Sequence, residues 1–261
     1  MHAITITDLS FKRKQRPIFE NLTLHIPNGQ LIGLLGPNGT GKSTLMKCMV
    51  GIEQVTRGEI LIGESPISSL KPKQLAQLIC YMPQTTHLET NFTVEQVVRM
   101  GRYPHKKRFE PWHRQDTDAV EAALRVTGIT QLAQRYVPSL SGGERQLVYL
   151  AKAIAQDTPI LLLDEPTSDL DIHHQVIVTN ILHELVAQGR TVIAAIHDLN
   201  LASRICDKCL FLKEGQVVDF NTSEKVFTED NLRHTFQVRS HIYEEEFTKK
   251  KQIIPYEEWS S

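Results

Sequence analysis

Apolar positions follow two different rhythms along the chain. Residues 4–9 and 22–26 alternate apolar and polar side chains, the pattern of strands with one buried face. Residues 29–35, GQLIGLL, form a continuous apolar run, which suits a strand buried on both faces of a parallel sheet. GEILIGES adds a short strand over residues 59–62. Two more unbroken runs, 160–163 and 191–196, end on polar residues at Asp164 and His197. In open parallel sheets chemistry gathers just past the carboxyl ends of the strands, so these ends are expected to face one site. Between residues 88 and 156 helical spacing dominates, with Ala119, Ala122, Ala123 and Val126 expected as one apolar face. This stretch reads as a helical subdomain inserted into the sheet domain. CLFLKEGQVVDF then predicts a hairpin turning at Glu214 and Gly215. Beyond residue 236 the composition turns charged, EEEFTKKK, and a peripheral tail is expected over 236–261.

The run 29–35 leads into GPNGTGKST, which fits the phosphate-loop pattern in full. Within the loop of Gly36, Pro37, Asn38, Gly39, Thr40 and Gly41, the glycines would let backbone N–H groups face inward and approach an anion closely. A helix starting near Lys42 adds its positive dipole end. Lys42 is expected on the β- and γ-phosphates, the Ser43 hydroxyl on Mg²⁺, and Thr44 beside them. In ILLLDEP, Asp164 would hold Mg²⁺, and Glu165 would orient the attacking water or take its proton. His197, at the end of the next strand, could donate a hydrogen bond to the γ-phosphate. Gln84, in YMPQTT, could touch Mg²⁺ or the attacking water.

A second glycine-rich helix start is less easily explained. In PSLSGGERQLVYLAKAIAQ, Leu147, Leu150, Ala151 and Ile154 define a helix with one buried face. Ser141 is its N-cap, and Glu144 completes a capping box. Gly142 and Gly143 cost roughly 1 kcal/mol each in a helix. They make sense if backbone N–H groups and the Ser141 hydroxyl must touch a phosphate. The loop at 36–44 already surrounds one nucleotide's phosphates, so this second surface is expected to serve a nucleotide held by another copy of the chain.

The totals narrow the class without naming a partner. The chain has 261 residues, 41% of them hydrophobic, enough for one large domain or two small ones. A net charge of −1 points to no nucleic acid. The basic runs at 12–14, 106–108 and 249–251 read as solvated loops. Four cysteines, including the pair Cys206 and Cys209, read as packed thiols of a reducing compartment rather than a disulfide framework. No apolar run approaches the ~20 residues of a membrane span, and the first residues lack a signal pattern. The expectation is a soluble, cytosolic chain that could dock onto a membrane protein.

LSGGERQ resembles the signature of ATP-binding cassette (ABC) proteins, and the surrounding elements match that family in order: phosphate loop, Gln84, signature, ILLLDEP, SDLD at 168–171, and His197. The match covers roughly residues 2–230. The resemblance implies an α/β phosphate-loop NTPase core with an N-terminal antiparallel β subdomain and an inserted helical subdomain, the nucleotide-binding domain occupying 1–235. It implies a head-to-tail dimer in which each ATP lies between one copy's phosphate loop and the other's Ser141, Gly142, Gly143 and Glu144. Glu165 becomes the catalytic base, Asp164 and Ser43 the Mg²⁺ contacts, and His197 the γ-phosphate switch. Gln84 becomes a Mg²⁺ contact and sensor of the membrane partner, with Asp169 and Asp171 at the dimer interface. Where the family stacks an aromatic on adenine, alignment places Arg13, whose planar guanidinium could stack there. Phe11 is the alternative on the same strand face.

GRYPH at 101–105 and LDIHHQ at 170–175 are similar to the ATPases of bacterial importers for iron-siderophore chelates, haem and vitamin B12. That likeness implies an ATPase on the cytoplasmic face of the membrane. Its partners would be two permease subunits and, indirectly, an extracytoplasmic substrate-binding protein. The competing expectation is a non-transport ABC ATPase acting on nucleic acid or the ribosome.

Overall fold

Strands that are apolar on both faces need a layer on each side, and this chain supplies both. The computed structural model describes residues 2–84 and 91–256. The first part runs β1 His2–Arg13, β2 Arg16–Pro27, β3 Leu31–Leu35, α1 Lys42–Met49, β4 Arg57–Ile62, β5 Ser65–Pro66, α2 Pro72–Leu78 and β6 Ile79–Met82. Three helices follow, α3 Val94–Arg99, α4 Arg114–Val126 and α5 Gly142–Ala155. Then come β7 Ile160–Asp164, α6 Ile172–Ala187, β8 Thr191–Ala195, α7 Leu199–Ile205, β9 Lys208–Lys213 and β10 Gln216–Thr222. The chain closes with α8 Ser223–Val226, α9 Glu229–Phe236, β11 Arg239–Glu244 and β12 Lys251–Tyr256. No described helix is long and apolar enough to cross a membrane.

The fold is α/β. A six-stranded sheet has the order β10-β9-β3-β8-β7-β6, parallel except for the edge strand β10. Its side chains alternate between two cores. Leu161 and Leu163 of β7 face a core built with α5, α6 and α7. Ile160 and Leu162 face a second core that holds α1 and the antiparallel sheet β2-β1-β4-β5. This is why β3, β7 and β8 read as unbroken apolar runs. The hairpin between β9 and β10 turns at Glu214 and Gly215, both with positive φ.

Three expectations need correction. The apolar face of α4 is Val120, Ala123 and Leu124 together with Asp116, whereas Ala122 is exposed and Ala119 and Val126 only half-buried. The bulkier Val120 and Leu124 bury more surface than alanines, so they set the face. The last segment is not a peripheral tail. β11 and β12 pair as a hairpin, and Ile253 is buried in the first core. Asn200 fixes β12 through two bonds: Nδ2 to the Ile253 carbonyl at 3.1 Å, and Oδ1 from the Ile253 N–H at 2.7 Å. Residues 257–261 lie outside the described residues, as do 88–90 at the expected start of the helical subdomain. Finally, β1 and β2 extend several residues beyond their alternating segments. They meet at a two-residue turn whose first residue, Lys14, has φ 58°.

GRYPH clasps the far end of α5. A Cβ on Gly101 would lie 2.3 Å from the Lys152 carbonyl oxygen, so only glycine fits. Arg102 Nη1 donates to Ala155 O at 2.8 Å, and His105 Nε2 to Gln156 O at 2.8 Å. Unpaired carbonyls and the negative dipole end of a helix favour such donors.

Candidate active site

Parallel register brings the sequence-predicted strand ends together. Leu34 lies opposite Ala195, and Asp164 opposite Ala195 on the other side. β6 runs beside β7 with Met82 opposite Leu163. The phosphate loop, Glu165, His197 and Gln84 therefore emerge at one edge. With Arg13, Ile18, Asn38, Gly39, Gly41, Lys42, Ser43 and Thr44 they line one cavity of about 470 Å³. A cavity of about 640 Å³ on the other flank of the loop shares Ile18, Asn38 and Gly39 but holds none of the catalytic candidates.

The glycines of the loop do two jobs. A Cβ on Gly36 would lie 2.1 Å from the Leu212 carbonyl oxygen, and one on Gly41 would lie 2.9 Å from the Phe19 ring, so the loop is pressed onto β9 and β2. Gly39, at φ 80°, faces open space. Lys42 reaches back over the loop, its Nζ donating to Gly36 O at 2.6 Å and Pro37 O at 3.1 Å. Burial lowers its pKa, while the carboxylates of Glu165 and Asp164 pull it up. Thr40 Oγ1 donates to Pro37 O at 2.9 Å and braces the same turn.

Glu165 is held by both oxygens. Gln84 Nε2 donates to Oε2 at 2.6 Å, and His197 Nε2 makes a short contact with Oε1. Its backbone has φ 55°, a left-handed value that a side chain adopts at a cost and that concentrates at functional sites. Asp164 is 3% exposed. Its Oδ2 accepts from the Tyr81 hydroxyl at 3.0 Å, while Oδ1 is buried with no partner among the described residues. An orphaned carboxylate oxygen is expensive unless something completes it. A hard divalent cation fits a carboxylate oxygen of that kind; Ser43 and Gln84 line the cavity, whereas Asp164 itself does not. Tyr81 was missed in the sequence. Its signal was position, three residues before Gln84 on the strand beside β7. Burial, then the charge and hydrogen bond of Asp164, push the Tyr81 hydroxyl pKa up, so it stays a donor.

The adenine expectation changes. Phe11 is 5% exposed and belongs to the second core, so it cannot substitute for a stacking aromatic. Arg13 does line the cavity, and its Nη2 donates to Glu53 at 3.0 Å and to Thr44 Oγ1 at 3.4 Å. Ile18 stands beside it on the wall, an apolar surface that the strand pattern did not single out.

Ser141, Gly142, Gly143, Glu144, Asp169 and Asp171 do not line this cavity. Ser141 caps α5 with a full capping box: its hydroxyl accepts from Glu144 N at 3.2 Å, and Glu144 Oε2 accepts from Ser141 N at 2.8 Å. The Ser141 N–H chiefly holds the Glu144 carboxyl below its usual pKa. The two glycines prove unlike. Around Gly142 a Cβ would meet nothing within 4 Å, whereas at Gly143 it would strike the His174 ring. Gly143 is thus required by a neighbour within the same chain, a constraint that spacing did not show. Cys206 and Cys209 are buried free thiols against Gly33. Hydrogen bonding between the two and burial push the Cys206 thiol pKa up.

Residues 19–168 match the family described as ABC transporter. The iron(3+)-hydroxamate import ATP-binding protein of Bacillus subtilis is 36% identical over 98% of this chain and 96% of its own length. The ferric enterobactin transport ATP-binding protein of Escherichia coli is 36% identical over 91% and 88%. The cobalamin import ATP-binding protein of Halobacterium salinarum is 41% identical over 90% of this chain, which spans only 59% of that relative. Among solved structures, a metal-chelate type ABC transporter in an inward-facing conformation superposes with TM-score 0.85 at 30% identity, covering 98% of both chains.

Proposed function

We propose, from the premise that this chain belongs to the ABC transporter family, that it is the ATP-hydrolysing subunit of a membrane importer whose cargo is an iron–siderophore or a related metal chelate, haem or cobalamin. The observation that carries the chemistry is Glu165, held from two sides at the rim of a phosphate-loop cavity. The cargo reading rests on the relatives alone, since importer ATPases of this kind do not themselves hold the chelate. The chain works at the cytoplasmic face, beneath two permease subunits that receive cargo from an extracytoplasmic binding protein.

The residues suit hydrolysis as follows. Inward N–H groups of residues 38–44 and the Lys42 ammonium hold the phosphate chain and spread its charge. Ser43, Asp164 and Gln84 would hold a Mg²⁺ ion, which would supply further neutralisation of the phosphate charge. Glu165 orients a water in line with the γ-phosphorus and takes its proton as the new P–O bond forms and the bridging bond to the β-phosphate breaks. Each of its oxygens accepts one hydrogen bond and keeps lone-pair capacity for that proton. Gln84 and His197 keep the carboxylate aimed.

Ser141, Gly142, Gly143 and Glu144 lie outside the chain's own cavity, which supports their use on a nucleotide held by a second copy. Asp169, at φ 57°, and Asp171 stand in the turn before α6, suited to the same interface. ATP then joins two copies, because its phosphates gain donors from both, and hydrolysis weakens the joint.

Glu165→Gln tests this reading. ATP binding should persist, turnover should fall by at least ~100-fold, the scale of general-base help, and a nucleotide-bound dimer should accumulate under saturating Mg-ATP. Turnover within a few-fold of the parent, or a strictly monomeric variant, overturns it.

A further inference from the structure

The bare α-carbon of Gly143 is explained within its own chain, and the group opposite it is unusually constrained. His174, in the first turn of α6, has a side chain only 20% exposed. Its Nδ1 donates to the Asp171 carboxylate, 2.9 Å from Oδ1 and 3.0 Å from Oδ2, while its backbone N–H donates to Oδ1 at 2.8 Å. Asp171 is the N-cap of α6, so one carboxylate both starts the helix and grips the ring. The ring in turn lies flush against α5. A Cβ on Gly143 would come 2.6 Å from its Cγ and 2.7 Å from its Cδ2 and Nδ1. These are atoms at the root of the side chain, not a free end. The ring could leave Gly143 only by breaking its bond to Asp171. A second tie joins the same two regions: Gln146 Nε2 donates to the Pro166 carbonyl at 3.0 Å.

We propose that His174 is a positioning residue that locks the Asp169–Asp171 turn to the N-terminus of α5, so that both surfaces presented to the second copy move as one body. This rests on the composite-site reading above. If ATP is cleaved only between two copies, the Ser141 hydroxyl and the N–H groups after it must meet the partner's nucleotide at the moment Asp169 and Asp171 meet the partner's loop. Two separate segments on separate helices would otherwise drift, and a misplacement of about 1 Å costs on the order of 100-fold in rate. Glycine at 143 then serves contact with His174, while Gly142, with nothing within 4 Å of its would-be Cβ, is the one left open to an approaching phosphate.

The test uses the full chain and four variants: Gly143→Ala, His174→Ala, the two combined, and His174→Asn. Asparagine keeps a donor near the Nδ1 position without the rest of the ring. Nucleotide affinity of the dilute monomer, ATP-driven dimerisation, and kcat with KM are measured for each. Gly143→Ala should lower kcat and dimerisation about tenfold or more, with monomer affinity unchanged. Adding His174→Ala removes the clash, so the double variant should be no worse than His174→Ala alone. His174→Asn should retain most of the turnover that His174→Ala loses. The proposal is overturned if the double variant falls by the product of the single effects, or if His174→Ala turns over at the parent rate. Should Gly143→Ala fail to fold, the comparison of His174→Ala with His174→Asn decides alone. Failure of the composite-site reading would show differently, as a parent rate per molecule indifferent to dilution.

Discussion

Replacing Asp116 with asparagine should unhook the turn that clasps α5, and the pH dependence of the loss identifies the cause. Asp116 is 5% exposed. It accepts from Lys106 Nζ at 2.9 Å, from the His113 N–H at 3.0 Å and from Arg102 Nε at 3.4 Å. Burial pushes its carboxyl up, but the three donors outweigh it and hold the pKa at about 2, against an ordinary 3.8. At 1.36 kcal/mol per unit, a depression of 3.8 − 2 corresponds to about 2 kcal/mol. Because the folded value is the lower one, this stabilisation is complete above the unfolded pKa and is lost as pH falls toward the folded one. Asparagine cannot ionise, so the variant lacks that contribution at every pH. It also leaves the Lys106 and Arg102 side chains, each 8% exposed, without their carboxylate, the situation in which broken buried pairs become costly. Each cation keeps one carbonyl, Pro111 O for Lys106 and Ala155 O for Arg102, so the cost is at the low end, about 3 kcal/mol. Urea unfolding of both proteins at about pH 7 and about pH 3 measures the gap. Roughly 1 kcal/mol of it should have vanished at the lower pH, where the parent has begun to lose its advantage. A gap unchanged with pH, or no gap at neutral pH, refutes the reasoning.

Two smaller perturbations probe the cavity itself. Tyr81→Phe removes the hydrogen bond that Asp164 Oδ2 accepts, so the Mg²⁺ concentration for half-maximal turnover should rise ~10–100-fold, as for other groups that orient a metal ligand; an unchanged Mg²⁺ titration curve would count against the role given to Asp164. Arg13→Tyr restores an aromatic where the family places one. It should tighten ATP binding by ~0.5–1.5 kcal/mol, since the Glu53 ion pair it sacrifices is partly exposed and weak. Weaker binding of ATP by that variant would mean the base does not lie against residue 13.

Much of this protein was legible in its residues because the physics is local or strictly periodic. Continuous apolar runs announced β3, β7 and β8, and the glycine loop, Asp164, Glu165 and His197 followed at their ends. Ser141 and Glu144 spelled out a capping box that the structure shows bond for bond. These inferences need only neighbours within a few positions, or the rule that parallel strands end on one side. The tertiary structure decided what depended on partners far along the chain. Whether Ala122 or Leu124 faces the core of α4 turns on what lies opposite, and the bulkier residue buries more surface. The charged last segment became a docked hairpin because Ile253 found the first core and Asn200 its backbone. Phe11 and Arg13 share a strand face, yet only one of them reaches the cavity. Gly143 looked like half of a phosphate cradle until a histidine thirty-one residues away, 174 − 143, was found against it. A sequence records which residues can bond or pack, but which of two equally suitable groups is satisfied is settled only when the fold brings its competitor within reach.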